Sequence, residues 1–125
     1  MHLATTDSNI CLERVGRARL SPRWSVRIAI ANQGYIVALH GLTRVQTSAE
    51  TLAQVARFTA RRSRSLELTL ANGGWLCMQR DREGTVVRYR LGPLVGNVIL
   101  EGEMLLKGEA AEACYRGLPR LVGAR

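Results

Sequence analysis

The stretch TSAETLAQVARFTARRSRSLELTLANGGWLCMQ, residues 47–79, changes its hydrophobic period partway along and so decides the fold class. Thr47-Ser48-Ala49-Glu50 fits a capping box, in which the Thr47 hydroxyl accepts from a first-turn N–H and Glu50 reaches back. Leu52, Val55, Ala56 and Thr59 follow at helical spacing, with Phe58 at the edge of the stripe. Arg57, Arg61, Arg62 and Arg64 gather in the last turns, where cations meet the negative end of the helix dipole. From Leu66 the period falls to two. Leu66, Leu68 and Leu70 alternate with Glu67 and Thr69, and Asn72-Gly73-Gly74 turns the chain into a second strand over residues 75–79.

The same two periods extend outward. Residues 10–15 read as a strand, and residues 24–30 put Trp24, Val26, Ile28 and Ile30 on one face. Asn32-Gln33-Gly34 supplies the turn into a hairpin partner over residues 35–39, because Asn and Gly tolerate positive φ. Downstream, Asp81-Arg82-Glu83-Gly84 reads as a hairpin turn before residues 85–91, and residues 98–106 close the sheet. Glu109 to Arg116 suits a short helix, with Gly117 as its C-cap and Pro119 as its stop. The order β-β-β-α-β-β-β-β-α predicts an α+β fold. It is a mostly antiparallel sheet with one central covering helix and a short C-terminal helix, in a single domain over residues 1–125.

Charge is the second informative feature. Seventeen arginines stand against one lysine, Lys107, and the net charge is +8. Residues 1–64 hold ten arginines against Asp7, Glu13 and Glu50, whereas residues 65–125 are nearly balanced. Codon bias raises arginine over lysine but acts on both halves alike, so it leaves this asymmetry unexplained. A lopsided field bears on partners more than on fold. Two groups stand out: Arg14, Arg17, Arg19 and Arg23, in and after the first strand in a stretch with Gly16, Ser21 and Pro22 that reads as an exposed loop, and Arg57, Arg61, Arg62 and Arg64. Guanidinium groups bind carboxylates and phosphates bidentately, so an acidic protein surface or a nucleic acid fits either group. Aromatics are few and not interleaved with the arginines as base-stacking modules require, which puts the protein partner ahead.

Catalytic constellations are absent from the sequence. His2 falls at a terminus expected to fray, and His40 ends a strand. A site built on His40 with Cys77 or Glu101 needs those groups brought within hydrogen-bond reach, which no spacing demands. Glu101 and Glu103 share a strand face, but Arg88 and Arg90 share one on the preceding strand, and cross-strand ion pairing is the simpler account. No phosphate-binding glycine loop or nucleophile elbow occurs, and two histidines without clustered acids give no metal site. The expectation is a protein without catalysis, cofactor or metal. Cys11, Cys77 and Cys114 form no CxxC pair and read as three reduced, largely buried thiols. The amino terminus carries neither the basic nor the apolar region of a signal peptide, and no apolar run approaches the ~20 residues of a membrane helix. A cytoplasmic location without membrane contact follows as the expectation.

Ser21-Pro22-Arg23-Trp24-Ser25-Val26-Arg27-Ile28, the helix start Thr47-Ser48-Ala49-Glu50-Thr51-Leu52 and the strands to Leu106 resemble the small immunity proteins of the WapI type. Members of that family lead a β-strand with a Trp, here Trp24, and follow the helix with antiparallel strands. The chain departs from the pattern at Pro22-Arg23, where the family carries Asp-Asn, and in its basic charge. The resemblance implies the fold and a non-catalytic inhibitor that neutralises a toxin or effector by occluding its surface. Combined with the charge, it makes both arginine groups the expected contact for an acidic partner, with sequence-tolerant nucleic-acid binding as the alternative.

Overall fold

Among the described residues, four strands precede the central helix and four follow it. The computed structural model describes residues 1–4, 8–15, 23–32, 35–45, 48–93 and 97–122, with side chains at Met1, Leu3, Ile10, Leu12, Val45, 48–93 and 97–122. The elements are β1 (His2–Ala4), β2 (Ser8–Val15), β3 (Arg23–Asn32), β4 (Tyr35–Arg44), α1 (Ala49–Thr59), β5 (Ser65–Thr69), β6 (Trp75–Arg80), β7 (Thr85–Leu91), β8 (Leu100–Leu106) and α2 (Glu109–Leu121). The α+β class is as expected. The strands divide, however, into two antiparallel sheets, ordered β1-β2-β3-β4 and β5-β6-β7-β8, rather than one. Each strand pairs with its neighbour in sequence because short turns bring neighbours together first. An isolated bridge between Val45 and Leu70 links the two sets.

β1 went unread in the sequence. His2, expected to fray, pairs with Cys11, and Leu3 pairs with Ile10 and is fully buried. Three residues are too few to show a period. In the second sheet the alternation holds: Leu66, Leu68, Leu76, Met78, Val87, Tyr89, Leu91, Met104 and Leu106 turn inward. They share one buried cluster with Val55 and Phe58 of α1, with Ala111, Cys114, Tyr115, Leu118 and Leu121 of α2, and with Leu3, Ile10 and Leu12.

The two helices differ from expectation at their ends. Ser48, not Thr47, caps α1, its hydroxyl accepting the Thr51 N–H at 3.1 Å. Thr47 lies outside the described residues, and Glu50 accepts from Gln54 instead of closing a box. The buried face of α1 is Val55 and Phe58. Leu52 and Ala56 are exposed, so the stripe is turned from the one read in the sequence.

α2 runs through Gly117 and Pro119 to Leu121, beyond its expected end. Burial of Leu118, Leu121 and Val122 outweighs one lost N–H. Gly117 is a contact point rather than a cap. A Cβ there would stand 2.6 Å from the Met1 Cα, so only glycine lets α2 lie against the start of the chain.

Candidate functional site

The end of α1 places the second arginine group. Ala60 is the C-cap, Arg61 takes φ 61° in the left-handed region, and Arg62 donates its N–H to the Arg57 carbonyl at 2.8 Å. The Arg61 N–H reaches the Phe58 carbonyl at 3.1 Å. This pair of bonds is a Schellman motif with arginine where glycine is usual. Arg57 therefore lies in the last turn, but Arg61, Arg62 and Arg64 lie beyond it and not within the helix as read from the sequence.

Reversal of the chain at Arg61 sends its side chain across to α2, where it pairs with Glu112. Arg61 thus has a carboxylate partner within the chain, while its side chain stays largely exposed. On α2, Glu112, Arg116 and Arg120 recur at four-residue spacing along one face. Arg116 hydrogen-bonds Glu109, which raises the guanidinium pKa. Arg57, Arg62, Arg64 and Arg120 are exposed, and among the described residues none has a carboxylate within ion-pair distance. The Arg61–Glu112 pair brings the end of α1 and the loop after it against α2, and these arginine-bearing segments together are termed the basic shoulder. Arg120 was missed because Pro119 was read as a stop.

Arg80 holds this shoulder together and was also missed. Its guanidinium lies 4.5 Å from the Phe58 ring centroid and 4.9 Å from that of Tyr115. It donates to the carbonyls of Phe58 at 2.7 Å and Ser63 at 3.1 Å, and to the Tyr115 hydroxyl at 3.3 Å. One side chain of β6 thereby caps α1, fixes the arginine loop and binds α2. Only a residue with five donors and a flat cationic face does all three.

The first arginine group is more dispersed. Arg14 sits near the end of β2 opposite Trp24, and Arg23 opens β3 opposite Val15. Arg14 is in a strand as expected, whereas Arg23 belongs to a paired strand rather than to the expected loop. Arg17 and Arg19 lie outside the described residues.

The remaining candidates fall elsewhere. Arg88 pairs with Glu103 at 2.9 Å and Arg90 with Glu101 at 3.3 Å, in the register Arg88↔Glu103 and Arg90↔Glu101. The acids of β8 are ion-paired, as the sequence suggested. Cys77 faces outward on β6 in a shallow depression of about 170 Å³ lined by Ser65, Glu67, Gln79, Val86 and Arg88. Burial and then Glu67 push its thiol pKa up, while Arg88 acts against them. His40 stands opposite Arg27 in the first sheet, whereas Cys77 and Glu101 belong to the second. Cys114 is fully buried, its thiol 3.9 Å from the Met78 sulfur, and burial pushes its pKa up to about 12 against the opposing field of the amino terminus. Cys77 and Cys114 are free thiols, Cys77 only half buried. Among the described residues no group of His, Cys, Asp and Glu is placed to hold a metal ion. Among the same residues no helix is long and apolar enough to cross a membrane.

No protein-family model, curated protein or solved structure matches this chain.

Proposed function

We propose that this chain is a non-catalytic binding protein of the immunity or inhibitor type, which neutralises an acidic protein effector by covering its surface with the basic shoulder. The observation that carries the reading is the exposure of Arg57, Arg62, Arg64 and Arg120 without carboxylate partners among the described residues. Uncommitted guanidinium groups on a surface are available to a partner's carboxylates, and a net charge of +8 steers such a partner in. Arg61 and Arg116 contribute less, because Glu112 and Glu109 already neutralise them. Rigidity matters as much as charge. Arg80 fixes the loop that carries Arg62 and Arg64, which lowers the ordering cost of docking.

The test is capture from the source cell by the immobilised chain. An acidic protein should be retained at low salt and released as salt rises. The triple variant Arg57→Glu, Arg62→Glu, Arg64→Glu should lose it while keeping the melting temperature of the parent. Retention that survives the triple reversal refutes the shoulder as the contact. A gel shift of mixed oligonucleotides at low salt, abolished by the same variant, would shift the reading to nucleic-acid binding.

A further inference from the structure

Arg61 breaks a local rule that the rest of the described chain keeps. Among the described residues three side chains other than glycine stand at positive φ, and the other two, Asn72 and Asn97, are asparagines, which tolerate the left-handed region. Arginine has no polar group near its Cβ to bond the local backbone, so at φ 61° it bears the full steric cost. A helix that ends in this motif ordinarily carries glycine at that position, which removes the cost.

What the free chain gains from the arginine is small. Its guanidinium bonds Glu112 through Nη2 alone, and the two side chains stay 62% and 46% exposed. Exposed ion pairs contribute less than left-handed backbone costs. Glu112 does not depend on Arg61 either, since its charge also acts on Arg116 and raises that guanidinium's pKa. The other Arg61 nitrogens have no second carboxylate within ion-pair distance among the described residues. A local cost that the folded chain does not itself offset marks a functional position. By holding one nitrogen, Glu112 also fixes the fork in advance for a second carboxylate.

We propose that Arg61 is the specificity-determining contact of the basic shoulder, held ready by Glu112 through Nη2 and giving its remaining donors to a carboxylate of the acidic partner. The inference rests on the reading of the shoulder as a docking surface. It divides the work among the arginines. Arg57, Arg62, Arg64 and Arg120 attract at long range, whereas Arg61, neutralised at a distance by Glu112, acts at contact.

Immobilised poly-L-glutamate is the probe, and the Arg88–Glu103 pair is the reference. Arg88 is also 62% exposed, but it sits on regular strand backbone, on the face of the second sheet turned away from both helices. Arg61→Gly should raise the Kd about tenfold, mainly through faster dissociation, and should melt no lower than the parent. Arg88→Gln loses the same charge and should change the Kd by less than about twofold. Glu112→Gln keeps an acceptor for Nη2 and removes the opposing charge, so it should tighten binding about threefold, with Glu103→Gln nearly without effect. A parent that ignores the polymer, or that binds it equally well with Arg57, Arg62 and Arg64 reversed to Glu, fails the shoulder reading and this inference with it. Binding through the shoulder overturns the inference alone in any of three cases: Arg61→Gly matches Arg88→Gln, Arg61→Gly melts below the parent, or Glu112→Gln binds no tighter than Glu103→Gln.

Discussion

Arg61 is the residue at which local cost and tertiary gain are most directly opposed. Its left-handed backbone disfavours any side chain with a Cβ, and its guanidinium gains only an exposed ion pair with Glu112. Arg61→Gly should therefore raise stability by about 0.5 kcal/mol, while Arg61→Ala, which loses the pair and keeps the strain, should lower it by a similar amount. Paired urea melts read the difference. Arg80 is the reverse case, with Nε, Nη1 and Nη2 each donating and the guanidinium beside the Phe58 and Tyr115 rings. Arg80→Leu should cost about 2–3 kcal/mol, and Arg80→Lys should recover only part of it, because a point charge cannot serve the Phe58 and Ser63 carbonyls together. At Cys114 the sign of the pH effect is fixed by burial. Its pKa rises from an ordinary 9.0 to about 12, so the native thiol holds its proton more tightly than the unfolded one. That stabilisation is complete below pH 9.0 and declines as pH climbs towards about 12, an alkaline loss that Cys114→Ala should lessen in a pH series of melts.

Among the elements, the hairpin of β6 and β7 shows how a turn sequence becomes a tertiary requirement. The Asp81 carboxylate accepts the N–H groups of Glu83 at 2.7 Å and Gly84 at 3.0 Å, as the motif at residues 81–84 led us to expect. Gly84 answers a further demand. A Cβ there would stand 2.2 Å from the Leu106 carbonyl oxygen, a backbone atom that cannot yield without moving β8. Gly84→Ala should cost about 2–3 kcal/mol and loosen β8, seen as faster amide exchange over residues 100–106. The helices teach a related lesson. Capping chemistry located the start of α1 to within one residue, because adjacent hydroxyl residues carry the same capping signal in sequence and Ser48 is the N-cap. Its buried face was misjudged because Phe58 meets Tyr115 edge-on, with ring centroids 5.4 Å apart, and that contact rotates the helix away from Leu52.

For the whole molecule, the balance of charge and, β1 apart, the division into strands and helices are legible in the sequence. Period-two runs separated by Asn-Gly and Asp-x-x-Gly turns specify antiparallel neighbours locally, since each turn acts over a few residues. The Arg–Glu face of β7 and β8 was readable for the same reason: alternation assigns the face, and only the register was open. What the chain's local signals could not carry was anything decided by elements meeting at a distance. The split into two sheets, the continuation of α2 past Pro119, the capture of Arg61 by Glu112 and the threefold role of Arg80 all depend on which surfaces are buried together. Burial free energy belongs to such pairs of surfaces, so no short window of sequence contains it. The residues alone determined the class of fold and the excess of positive charge. Tertiary packing decided which of the described arginines are ion-paired within the chain.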